Sequence, residues 1–158
     1  MSSARLVPPL HSVTMLPAGP PFRLAHAKKG AAREGVRFET RLFRFLAGLF
    51  PPPFTVLHGP WLEYRHGEGK AYCQPDIVIS HPDFAPVVVE AKLSQKPGAY
   101  GKLARLYGPL ISWLYRRTAV LIQAYRNTTG LGPGSHLRNP LDWPFASTVV
   151  PHSYQYLK

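Results

Sequence analysis

The alternation of apolar and polar positions along the chain predicts its elements before any residue is read for chemistry. From Ala31 to Phe50, the residues Phe38, Leu42, Phe45 and Leu49 recur at helical spacing, which predicts an amphipathic helix with these side chains as its core stripe. Pro51-Pro52-Pro53 stops it, because proline cannot continue the backbone hydrogen bonds. The apolar positions then become β-branched and aromatic. Residues 54–65 (bent at His58-Gly59-Pro60), 71–80 and 86–93 predict a three-stranded meander, with Gly67-Glu68-Gly69 as its hairpin turn. Past a loop at 94–98, Leu103, Leu106, Leu110 and Leu114 mark the apolar side of a helix starting at Ala99 and kinked or divided at Gly108-Pro109. Thr118 to Tyr125 reads as an apolar strand, and its position after a helix suits a parallel crossover beside the strand carrying Glu90. Residues 31–126 thus form the predicted core. Residues 1–30, broken by Pro8, Pro9, Pro17, Pro20 and Pro21, predict an irregular arm. Residues 127–158, rich in Gly, Pro and aromatics, predict an irregular extension packed on the core through Trp143, Phe145, Tyr154 and Tyr156.

Charge interrupts this pattern at one place. Asp76 opens the apolar run Ile77-Val78-Ile79, while Glu90 and Lys92 follow Val87-Val88-Val89. Successive strand residues alternate faces, so Glu90 and Lys92 point the same way, and antiparallel pairing brings Asp76 level with the Glu90 end. Two like charges about 4 Å apart repel by roughly 4 kcal/mol at an effective dielectric near 20. A divalent cation turns that repulsion into attraction, and carboxylates with backbone carbonyls and waters are the oxygen set that Mg²⁺ prefers. A lysine beside it can orient or deprotonate water, or stabilise charge developing on a phosphate. The plain alternative is a strand-capping Asp76 and a surface Glu90–Lys92 ion pair contributing about 0–1 kcal/mol.

Composition sharpens the choice of partner. Lysine and arginine number 19 against 8 acids, a net charge of +11, which points to a polyanion, with nucleic acid ahead of an anionic membrane. With 45% hydrophobic residues in 158, one folded domain with a proper core is expected. Cys73 is the only cysteine, so it can form neither an internal disulfide nor a zinc cluster, and packing as a small hydrophobe is its expected role. Nothing reads as a transmembrane span or a cleavable signal peptide, which makes the cytoplasm the default compartment. Arg37, Arg41 and Arg44 form a second stripe on the first helix, suited to phosphates or to a solvated basic face. Gln74, Lys96, Lys102 and Arg105 are the further candidates for DNA contact. His58, His66, His81, His136 and His152 fall in predicted loops without metal-ligand spacing.

Pro75-Asp76 followed by Glu90-Ala91-Lys92 on the next strand resembles the PD-(D/E)xK nuclease superfamily of restriction endonucleases, Holliday-junction resolvases and phage recombination exonucleases. The similarity runs from about Arg33 to Arg126. It implies an α/β fold, a restriction endonuclease-like mixed central sheet flanked by helices. It also implies that Asp76 and Glu90, with the carbonyl of Ala91, hold Mg²⁺ (Mn²⁺ as substitute), and that Lys92 positions or activates the attacking water. The first helix of that family supplies a glutamate in a Gly-x-x-x-Glu setting, matched by Gly35-Val36-Arg37-Phe38-Glu39, which implies that Glu39 holds a second ion or a water. Glu34 is the competitor, but it sits near the helix start, where a carboxylate favours the helix dipole. The Gln-x-x-x-Tyr spacing of some phage-type members is absent, since Gln95 to Tyr100 is one residue too long. The resemblance implies a structure-selective or weakly sequence-specific deoxyribonuclease of phage or mobile-element type, alone, as a homodimer or inside a larger nuclease complex. A non-catalytic basic DNA-binding or assembly protein on the same fold is the alternative.

Overall fold

A computed structural model of the protein describes residues 6–19, 31–94, 101–127 and 152–155. It is a mixed α/β structure with two sheets and two helical segments. The strands are β1 (Leu10–Leu16), β2 (Thr55–His58), β3 (Trp61–His66), β4 (Gly69–Cys73), β5 (Ile77–Ser80), β6 (Val87–Ser94), β7 (Val120–Asn127) and β8 (His152–Gln155). Helix α1 spans Ala31–Leu49, and a π-helical segment, Leu103–Tyr107, runs into helix α2, Gly108–Tyr115. The larger sheet has the order β2-β5-β6-β7-β8, antiparallel from β2 to β6 and parallel from β6 to β8. The predicted parallel crossover onto the Glu90 strand is therefore present. The smaller sheet, β1-β3-β4, is antiparallel.

Each face of the larger sheet buries a different set of side chains. On one, Ile77, Ile79, Val87, Val89, Val120 and Ile122 pack beneath Phe38, Leu42 and Leu46 of α1 and Phe50 just after it. On the other, Val78, Val88 and Leu121 meet Leu103, Leu106, Tyr107 and Leu110, together with Val13, Leu62 and Tyr64 of the smaller sheet. The core stripe of α1 is thus Phe38, Leu42, Leu46 and Phe50, whereas Phe45 is 37% exposed. Both stripes satisfy helical spacing. The rotation of the helix on the sheet chose between them.

The predicted meander is divided. Residues 54–65 become β2 and β3, and residues 71–80 become β4 and β5, with the two halves in separate sheets. The antiparallel register nevertheless runs straight through: Leu57 pairs with Val78, and Leu62 with Cys73, so each strand spends the same number of residues crossing the break. Two prolines, Pro60 and Pro75, lack the N–H a continuous ladder needs. Gly59 turns there with φ 57°, a left-handed conformation that glycine adopts without strain. The breaks are tied together, because the Gly59 N–H donates to the Asp76 carbonyl at 2.7 Å and the Gln74 amide donates to the Gly59 carbonyl at 2.8 Å. The hairpin turn is as predicted, with Gly67 at φ 52°.

Both ends differ from the irregular segments expected. Leu10–Leu16 forms edge strand β1 against β3, bounded by Pro9 and Pro17, and His152–Gln155 forms edge strand β8 against β7. Short edge strands beside prolines carry too few residues to show a period. Their partners lie far away in sequence. His58, His66 and His152 are strand residues, in place of the loops expected for them. Among the described residues, no helix is long and apolar enough to cross a membrane.

Candidate active site

The divided meander places Asp76 at a sheet end. It directly precedes β5, and the pairing of Ile77 with Val89 sets it opposite Glu90, in the middle of β6 where the pairing with β5 ends. Its Oδ2 accepts the Ala91 N–H at 2.7 Å. Glu90 is only 2% exposed; its Oε1 accepts a hydrogen bond from Lys92 Nζ at 2.7 Å, and its Oε2 is buried with no hydrogen-bond partner. Leaving a buried acceptor without a donor costs about 1–3 kcal/mol, more for a charged group. The site is therefore short of positive charge.

The titration of the site points the same way. Burial, then the neighbouring carboxylates Glu90 and Glu39, push Asp76 up to about 7, against the opposing effects of the Ala91 N–H and Lys92. For Lys92, burial opposes the charge, but Glu90 beside it, with Asp76 and Glu39, prevails and raises its pKa. The side chain enters as an ammonium.

Glu39 approaches from α1, on the opposite side of the sheet. Its Oε1 accepts from His58 Nε2 at 2.9 Å, and the His58 ring stacks on Phe43 with centroids 4.8 Å apart. Glu39, His58, Gly59, Gln74 and Asp76 line a cleft of about 300 Å³. Glu34 lies elsewhere, in a groove of about 450 Å³ along α1 that it shares with Arg37, Arg41 and Arg44. Val36 borders both, so the arginine groove and the acidic cleft are neighbours.

Gln74 falls in the strand break, so it does not share a continuous strand face with Asp76, and its amide holds Gly59. Lys102 and Arg105 are exposed at the π-helical segment, with Lys102 Nζ 4.8 Å from the Tyr107 ring centroid. Lys96 lies outside the described residues, as do His136, Trp143, Phe145 and Tyr156. Glu63 pairs with Lys70 at 3.2 Å on the smaller sheet. Cys73 is buried, and burial pushes its thiol up to about 12.

Three residues join the site that sequence reasoning did not place there. Tyr107 is buried, and its hydroxyl donates to the Gln74 carbonyl at 3.1 Å; burial first, and then the Glu90 charge, raises its pKa. Gln123, fully buried in β7, is level with Glu90 in the parallel register and so shares its face. It is the one polar side chain within the run Ala119 to Ala124, and that was a readable signal. His58 carried none, because only folding brings it to Glu39.

The donor set fits a hard cation: Asp76 and Glu90 offer carboxylate oxygens, one of them buried and unpartnered, beside the Ala91 backbone. Among the described residues, however, no three His, Cys, Asp or Glu side chains form a ready metal-binding group. Glu39, the third candidate, is hydrogen-bonded to His58. No protein-family model matches the chain, and neither curated proteins nor solved structures provide a match.

Proposed function

We propose that the protein is a Mg²⁺-dependent deoxyribonuclease of the PD-(D/E)xK type, on a restriction endonuclease-like fold, that hydrolyses DNA phosphodiester bonds to a 5′-phosphate and a 3′-hydroxyl. The observation that carries this reading is the convergence of Asp76, Glu90 and Lys92 where the β5–β6 pairing ends, with one Glu90 oxygen buried and unpartnered. Asp76 and Glu90, with the Ala91 carbonyl, would hold the ion, and Glu39 a second ion or a water once released from His58. Bound Mg²⁺ supplies charge neutralisation of the phosphate and a lowered pKa for water. The Lys92 ammonium, 2.7 Å from Glu90, orients the attacking water and stabilises charge on the phosphate. The arginine groove on α1 holds neighbouring phosphates in register with the cleft.

The test is cleavage of supercoiled, linear, single-stranded and branched DNA by the full chain, with and without Mg²⁺. Lys92→Ala should keep the fold and metal binding while slowing cleavage about 10²- to 10⁴-fold. Asp76→Ala should lose metal binding and cleavage together, yet hold metal-free DNA at least as tightly as wild type. Cleavage that persists in excess EDTA, or at the wild-type rate in both variants, excludes this site and leaves the basic DNA-binding protein as the reading.

A further inference from the structure

A depression of about 290 Å³ lies at the opposite end of β5 from Asp76, lined on its polar side by Thr55, Ser80, His81 and Arg117. Asp76 precedes β5 and Ser80 ends it, so four residues of strand, about 13 Å, separate this pocket from the candidate active site. Its polar side chains come from three parts of the chain. Thr55 opens β2 directly opposite Ser80 in the antiparallel register, which sets two hydroxyl side chains together on one face. His81 follows, and its Nδ1 accepts the Asp83 N–H at 2.9 Å. An imidazole that accepts at Nδ1 carries its proton on Nε2, so the ring is a donor at its other nitrogen. Its orientation is held by Phe54 and Phe84, with centroids 4.5 and 4.6 Å from its own. Arg117 arrives from the end of α2. Arg116 there takes a left-handed conformation with φ 54°, and the Arg117 N–H returns to the Ser112 carbonyl at 3.2 Å.

The chemistry of this set selects the sign of its ligand. Arg117 and the His81 Nε2–H can only donate, while the two hydroxyls can donate or accept. Among the described residues, no acidic side chain lines the pocket or pairs with Arg117. A cation would therefore meet repulsion there, whereas an anion with several acceptor oxygens finds a guanidinium fork, an imidazole N–H and two hydroxyls. The fork matches phosphate oxygens in pairs. A basic residue just past a helix C-terminus is favoured by the helix dipole alone. That accounts for the charge of Arg117, but not for the hydroxyl pair and the oriented imidazole lining the same hollow. We propose that this pocket binds a phosphate group, as an anion site distinct from the arginine groove on α1. It uses no residue of the acidic cleft, so it stands apart from the nuclease reading.

The test follows the imidazole signals of His81 in NMR spectra of the full chain, identified by their loss in His81→Phe, which keeps a ring against Phe54 and Phe84. Titration with inorganic phosphate should shift them saturably, and sodium chloride at the same ionic strength should not. Arg117→Ala, at an exposed position, should weaken phosphate binding roughly 10- to 100-fold, the effect of losing a hydrogen bond between charged groups. Thr55→Val keeps the shape of an exposed strand residue, removes its hydroxyl and should weaken binding by a smaller factor. The chain with Arg37, Arg41 and Arg44 replaced by alanine should show the wild-type shift, which separates this pocket from the groove on α1. Single-stranded oligonucleotides with 5′-phosphate and 5′-hydroxyl ends then distinguish the source of the phosphate. A His81 shift with the first alone assigns a strand terminus, with both a backbone phosphate, and with neither the free ion. Signals that stay unmoved in phosphate, that move as far in chloride, or that move alike in wild type and Arg117→Ala would overturn the site. Mg²⁺-dependent cleavage that is lost in Asp76→Ala would be untouched by that result.

Discussion

Asp76 is the residue whose environment departs furthest from that of an ordinary carboxyl group. Its pKa is raised from 3.8 to about 7 in the folded protein, so folding favours the protonated form. Stability from this group is present below about pH 4 and is lost as pH rises through about 7, each tenfold change in proton affinity being worth about 1.4 kcal/mol. Asp76→Asn keeps the carbonyl that accepts the Ala91 N–H and removes the charge. Denaturant unfolding without metal should show the variant equal to wild type near pH 4 and more stable by a few kcal/mol at pH 8. Added Mg²⁺ should then stabilise wild type and leave the Asn variant unmoved, as binding to the native state alone requires. Equal stability at both pH values would mean that the paired carboxylates are not strained.

At the scale of elements, the π-helical segment Leu103–Tyr107 and the glycine after it deliver Tyr107 beneath the acidic pair. A Cβ on Gly108 would stand 2.9 Å from the Leu103 carbonyl oxygen and 3.1 Å from the Leu121 side chain, so the segment packs against β7 only with glycine there. Gly108→Ala should destabilise the fold by about 1–3 kcal/mol, the range for overpacking a filled interior, measured by thermal or denaturant unfolding. Tyr107→Phe retains the ring and removes the hydrogen bond to the Gln74 carbonyl, which costs about 0.5–1.5 kcal/mol. Because Gln74 belongs to the break that aims Asp76, the Phe variant should also lower Mg²⁺ affinity in calorimetric titration. Unchanged affinity would make Tyr107 a packing residue only.

For the molecule as a whole, charge is the dominant property. With a net +11 and Arg37, Arg41 and Arg44 exposed along one groove beside the cleft, DNA binding should weaken steeply with salt. Each phosphate neutralised contributes about 0.9 to the log–log slope on duplex and about 0.7 on a single strand. Replacing all three arginines with alanine should therefore reduce the single-strand slope by about 2 if each meets one phosphate. A wild-type slope in that variant would move the DNA path elsewhere on the surface.

Local periodicity by itself determined a good part of this protein. Nineteen residues of α1, the hairpin at Gly67, the pairing that sets Asp76 against Glu90 and the parallel crossover into β7 all follow from spacings of helix or strand type, since these spacings state which way each side chain points. Tertiary structure decided what spacing leaves open. Phe38, Leu42, Leu46 and Phe50 fit a helix as well as Phe38, Leu42, Phe45 and Leu49 do, and only docking on the sheet chose between the two sets. The meander has one register on both sides of its break, and although Pro60 and Pro75 interrupt its ladder, nothing within residues 54–80 assigns the two halves to different sheets. The separation comes from their third neighbours, β1 for β3 and β6 for β5, which lie outside that stretch. The same non-local choice brings His58 to Glu39 and Tyr107 to Gln74, and forms the cleft at Gly59. Carboxylates on neighbouring strands are legible because strand pairing is regular. Side chains that meet across layers are not, because their meeting depends on how whole elements pack.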